Sequence, residues 1–114
     1  MIIFDDYRSD NCYKVQLLCE LLSIDYEWRA IDILKKENRS DAFLAVNAFG
    51  EIPVLQTEDG IVITQSNAIL YYLAADSNCF PSDLLEQTRV FQWQFFEQYS
   101  HEPYIESAEK VNLK

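Results

Sequence analysis

"GEIPVLQTEDGIVITQSNAILYYLA", Gly50 to Ala74, holds two short apolar runs, a turn between them and a polar step into a longer apolar run. Pro53-Val54-Leu55-Gln56 reads as a strand with its proline at the first position, where a missing N–H disturbs a ladder least. Glu58-Asp59-Gly60 is a hairpin turn signal. Ile61-Val62-Ile63 is then a second strand, antiparallel to the first. Gln65-Ser66 opens a helix predicted to run from Ser66 to Ala75.

Upstream, Ile2-Ile3-Phe4 is an unbroken apolar triplet, the pattern of a strand covered on both faces. "DDYRSDN" reads as a loop. Its Ser9, Asp10 and Asn11 are all good N-cap types, so a helix starts near Asn11. That helix runs to about Leu22, with Val15, Leu18 and Leu22 at helical spacing and Leu17 and Leu21 widening the stripe. Residues 26–31 are rich in strand formers. "LKKENRSDAFLAVN" reads as a loop and one short helix over residues 41–46. Downstream, "DSNCFPSD" is an aperiodic linker. A last helix begins near Ser82-Asp83 and runs past Tyr99.

The element order is β-α-β-α-β-β-α, then a linker and one more helix. A crossover helix between the first two strands favours a parallel pair, while the Asp59-Gly60 turn forces an antiparallel one. The fold class is α/β, with a mixed four-stranded sheet and helices on its faces.

Composition narrows the function. The 114 residues suit one compact core, and 49% apolar with 14% aromatic residues exclude a disordered chain. No apolar run approaches the roughly 20 residues of a membrane span. "MIIFDDYRSD" lacks the basic and apolar regions of a secretory signal, so the expected location is cytoplasmic. Three cysteines, Cys12, Cys19 and Cys79, and one histidine, His101, offer neither a disulfide framework nor a metal site. A net charge of −10 argues against nucleic acid and anionic membranes as partners. Lys35, Lys36 and Arg39 form the one concentrated basic patch.

Three ordered pieces, "YRSDNCYKVQLLCELL", "FLAVNAFGEIPVLQTEDG" and "ITQSNAILYYLA", resemble the thioredoxin-like N-terminal domain of cytosolic-type bacterial glutathione S-transferases. Residues 82–104 resemble the first helix of that family's all-helical second domain. The resemblance implies a glutathione-binding domain over residues 1–76, a linker over 77–82, and a helical C-terminal domain that opens at 83 and is truncated at Lys114. It implies glutathione as co-substrate, a small electrophile as second substrate, no metal, and a homodimer, which the aromatic helix over residues 84–99 could mediate.

The same resemblance implies the site. The Ile52-Pro53 peptide bond is cis and aims the Ile52 backbone at the cysteinyl part of glutathione. Gln65 and Ser66, at a helix N-terminus, hold the γ-glutamyl carboxylate. "RSDNC" is similar to the serine-type (zeta/theta-like) motif, which puts Ser9 at the thiol-activating position and Asn11 where several relatives carry cysteine. Asparagine can donate to a thiolate but cannot form a mixed disulfide. Shifting the register by one residue would instead make Cys12 the reactive group and favour a glutaredoxin-like oxidoreductase. Glu51 stands at a substrate-binding position, although its charge opposes a carboxylate. Tyr7, Lys36 and Arg39 are weaker candidates, the last two for the glycyl carboxylate.

Each residue also has a plainer reading. Ser9 and Ser66 could be simple caps, Pro53 a turn, Cys12 and Cys19 core residues seven apart on one helix face, and Lys36 and Arg39 solvated surface. The same fold also serves as a non-catalytic interaction module.

Overall fold

The computed structural model describes residues 1–75, 77 and 80–98. It divides into two compact units, Met1–Ser77 and Asn78–Lys114. The first contains β1 (Ile2–Asp5), α1 (Asp10–Leu21), β2 (Glu27–Ala30), two 3-10 turns (Ile33–Lys35 and Glu37–Arg39), α2 (Asp41–Val46), β3 (Val54–Gln56), β4 (Val62–Thr64) and α3 (Ser66–Ala74). The second contains α4 (Leu84–Phe96). The order is the βαβαββα expected, with the two 3-10 turns where a loop was expected.

The sheet order is β2-β1-β3-β4. β1 pairs parallel with β2 across the α1 crossover and antiparallel with β3, which pairs antiparallel with β4. The Thr57 N–H bonds to the Ile61 carbonyl and closes the β3–β4 hairpin. Side chains alternate across a sheet, so neighbouring residues of β1 serve different cores. Ile3 lies opposite Leu55 in β3 and packs with Val15, Cys19 and Ile69, joining the sheet to α1 and α3. Phe4 lies opposite Val54 and packs with Phe43 of α2, the two rings edge-to-face at 5.8 Å. The apolar triplet of β1 is therefore covered on both faces.

Three expectations need correction. Asp5 belongs to β1 rather than to the loop, and both Asp5 and Asp6 are buried. Leu17 and Leu21 of α1 are exposed; the buried stripe is Cys12, Val15 and Cys19. Leu17 lies two residues from Val15, which at about 100° per residue places it on the opposite side of the helix. The N-cap of α3 is Gln65, and Ser66 is its first helical residue.

In the second unit, Asp83 caps α4 by accepting from the Glu86 N–H at 3.1 Å. The Phe80 and Phe91 rings meet edge-to-face at 5.9 Å. Leu84, Leu85, Trp93, Phe95 and Phe96 are exposed. The expected extension past Tyr99 lies outside the described residues, as does Cys79. No helix among the described residues is long and apolar enough to cross a membrane.

Candidate functional site

Two side-chain hydrogen bonds bring three distant segments together. The Ser66 hydroxyl donates to Asn11 Oδ1 at 3.2 Å, joining the first turns of α3 and α1 across 55 residues of sequence. Gln65 Nε2 donates to Glu51 Oε2 at 3.3 Å, joining the start of α3 to the turn before β3. That turn carries the Ile52-Pro53 peptide bond, which is cis as the resemblance implies.

The turn is built from polar contacts that no sequence signal isolated. Asn47 is buried; its Nδ2 donates to the Glu51 carbonyl at 3.0 Å and its Oδ1 accepts from the Phe49 N–H. Asn38 Nδ2 donates to the Gly50 carbonyl at 2.9 Å. Gly50 has φ +66°, and a Cβ there would lie 2.9 Å from the Asn38 carbonyl oxygen and 3.0 Å from Arg39 Nη1. Arg39 therefore lies over the turn. Lys36 is exposed between the two 3-10 turns, at φ 59° and ψ 29°.

Helix caps divide in a telling way. Ser40 caps α2 and Asp83 caps α4 with side-chain oxygens. The N-caps of α1 and α3, Ser9 and Gln65, make no side-chain cap hydrogen bond. The first N–H groups of a helix have no partner within it, and the helix dipole gives that end partial positive charge. Both uncapped helices start at the Asn11–Ser66 contact. Gln65 also sits at φ 73° and ψ 119°, a backbone conformation rare for a residue with a side chain. Such outliers cost on the order of 1–3 kcal/mol and concentrate at ligand sites.

The β1–α1 loop is pinned from beneath. Arg8 pairs with Asp6 at 2.6 Å and with Asp32 at 2.7 Å, and Asp6 Oδ2 also accepts from the Ile33 N–H. Burial pushes the Asp6 carboxyl upward, but the hydrogen bonds from Arg8 and Ile33 outweigh it and hold the group below the usual carboxylate range. The Arg8 hydrogen bond likewise lowers Asp32. Tyr7, on the same loop, is exposed under the Arg8 guanidinium.

Cys12 does not open onto this site. It is 1% exposed, and its sulfur accepts from the Asp6 N–H at 3.4 Å. Burial pushes the thiol up to about 12, with hydrogen bonds from Asp6 and the Ser9 side chain offsetting part of the rise. The Ser9 hydroxyl is thus engaged with the Cys12 sulfur, while Asn11 faces Ser66. Cys19 is also buried and pushed up to about 11, chiefly by that burial. Both cysteines are core residues of α1.

Residues 8–76 match the family described as glutathione S-transferase, N-terminal domain. The chain belongs to the glutathione S-transferase family. A glutathione S-transferase structure from Pseudomonas fluorescens superposes with a TM-score of 0.94 at 53% identity, over 98% of this chain and 56% of that one. Human glutathione transferase theta-2, solved in complex with glutathione, superposes at 0.80 with 30% identity, over 85% of this chain and 41% of that one. Maleylacetoacetate isomerase of Pseudomonas aeruginosa is 35% identical over 75 residues, 64% of this chain and 35% of its own length. This glutathione S-transferase chain thus spans between about a third and a little over half of these proteins.

Proposed function

We propose that this chain binds glutathione at the joined starts of α1 and α3 and activates its thiol for attack on small electrophiles. The observation that carries this reading is the pairing of caps: the two helices whose first turns meet at Asn11 and Ser66 are the two α-helices without a side-chain cap. Their N–H groups suit two anionic groups of one ligand, a thiolate at α1 and a carboxylate at α3.

In this reading the γ-glutamyl carboxylate lies on the N-terminus of α3 at Gln65 and Ser66. The Ile52 backbone pairs with the cysteinyl residue as an added strand would. Arg39, over the Gly50 turn, and Lys36 supply charge for the glycyl carboxylate. Glu51 holds Gln65 in the unliganded protein and yields it to the ligand. At α1, the Asn11 amide and the helix N–H groups stabilise the thiolate. A free thiol is mostly protonated at neutral pH, so this lowering of its pKa raises the fraction able to react. The thiolate then forms the new carbon–sulfur bond as the electrophile's leaving group departs. Ser9, turned to Cys12, acts on the loop rather than on the ligand. Thiol exchange through Cys12 is not favoured, since its sulfur is buried and protonated.

The reading extends to the whole protein: residues 1–76 as the glutathione domain, 77–82 as linker, 83–114 as the opening of a helical domain, and a cytoplasmic detoxifying enzyme. A homodimer through α4 is supported by its exposed Leu84, Leu85, Trp93, Phe95 and Phe96. Light scattering that finds a monomer at every concentration removes that part. Calorimetric titration with glutathione tests the core of it. Saturable binding that Asn11→Ala and Gln65→Ala weaken is expected; no binding overturns the assignment.

A further inference from the structure

We propose that Ser66 is a positioning residue for the Asn11 amide, so that a residue of the carboxylate-binding helix sets the acidity of the bound thiol. This deepens the glutathione reading and rests on it.

A primary amide is nearly symmetric in shape, and its oxygen and nitrogen exchange places on a half-turn. What fixes the orientation is the hydrogen-bond partner. Here the buried Ser66 hydroxyl donates to Asn11 Oδ1. That contact commits the oxygen to α3 and leaves Nδ2, which carries both donors, on the other side. A thiolate accepts hydrogen bonds and does not donate them, so only the Nδ2 side can stabilise it. Without Ser66 the amide is free to present its oxygen to the sulfur, and an oxygen there disfavours the thiolate.

A hydroxyl has one proton to donate. While Ser66 donates to Asn11, the ligand carboxylate must be held by other donors, namely the first N–H groups of α3 and Gln65 Nε2. Ser66 therefore contributes chiefly to the thiol end, although in sequence it belongs to the carboxylate end. Cys12 and Ser9 cannot substitute, since they are engaged with each other.

The test is an ultraviolet titration of the thiolate band of bound glutathione, run alongside calorimetric affinity. In the wild-type chain the bound thiol titrates below free glutathione. Ser66→Ala is expected to raise that pKa by about one unit, a roughly tenfold loss of thiolate at fixed pH, while affinity changes by less than about threefold. Asn11→Ala should give the same rise, and the double variant no more than Asn11→Ala alone, because both remove one interaction. Ser66→Thr keeps the hydroxyl and should restore the wild-type value. In the free protein, the Asn11 side-chain amide signals should shift in Ser66→Ala while the backbone spectrum stays folded. The proposal is overturned if Ser66→Ala weakens binding but leaves the thiol pKa unmoved, or if the two substitutions add. Such a result leaves the glutathione reading intact. Absence of glutathione binding by the wild-type chain overturns both.

Discussion

Replacing Asp5 by asparagine should make the protein more stable at pH 8 than at pH 4, relative to the unsubstituted chain. Asp5 ends β1 with 2% of its surface exposed, and its Oδ1 has no hydrogen-bond partner among the described residues. Burial, and then the neighbouring Asp6 charge, raise its carboxyl from 3.8 to about 7. Its charge also bears on Cys12, Cys19 and Tyr26, all of which it pushes upward. A carboxyl that holds its proton more tightly when folded favours folding fully only below its unfolded pKa. As pH rises from about 4 to about 7 the unfolded chain sheds the proton first, and stability falls by about 1.4 kcal/mol per unit. Above 7 the loss levels off at roughly 4 kcal/mol, the three-unit difference expressed as free energy. Asparagine keeps the shape and cannot ionise. Its buried NH2 group adds a penalty of its own, but that penalty does not change with pH. Urea unfolding of both chains at pH 4, 5, 6, 7 and 8 measures the difference directly. The advantage of Asp5→Asn should grow through this window and then plateau. A difference that stays level across the series refutes the reasoning, because the carboxyl would then titrate alike in both states.

Other consequences follow from the same contacts. Asp6 and Asp32 are held low, so their contribution to stability is present above about pH 4 and is lost as pH falls through their folded values; Asp6→Asn should flatten acid unfolding below pH 4. Cys12 and Cys19 should resist alkylation in the native chain at pH 8 and react together once urea unfolds it, which mass spectrometry can follow. Gly50→Ala should destabilise the chain by roughly 1–3 kcal/mol in urea unfolding, since Cβ meets the Asn38 carbonyl and φ is positive. Equal stability would mean that the turn can relax.

Much of the topology was legible because it rests on local physics. The β1 triplet, the Asp59-Gly60 turn and the short helix over 41–46 each carry their own signal, and the chain order with the crossover rule supplies the sheet. The outward turn of Leu17 and Leu21 was not legible from apolar content alone, because α1 buries small thiols where leucines were expected. Nor was the burial of Asp5 and Asp6, which a sequence reader assigns to solvent. Asp6 is tolerated inside because Arg8 neutralises it, and Asp5 because it holds its proton. At the site, the cis bond at Ile52-Pro53 came from family resemblance alone. The Asn11–Ser66 bond spans 55 residues and leaves no trace in spacing. Asn47 could have been suspected: an asparagine after a short helix, shortly before a glycine and a proline, is a common turn builder.

The most direct measurement is a two-dimensional amide spectrum of the chain titrated with glutathione. Glutathione held between the two uncapped helix starts should move the backbone amides of Asn11, Ile52 and Ser66 together, saturating at one concentration. Shifts confined to other residues, or an unchanged spectrum at millimolar glutathione, would contradict it.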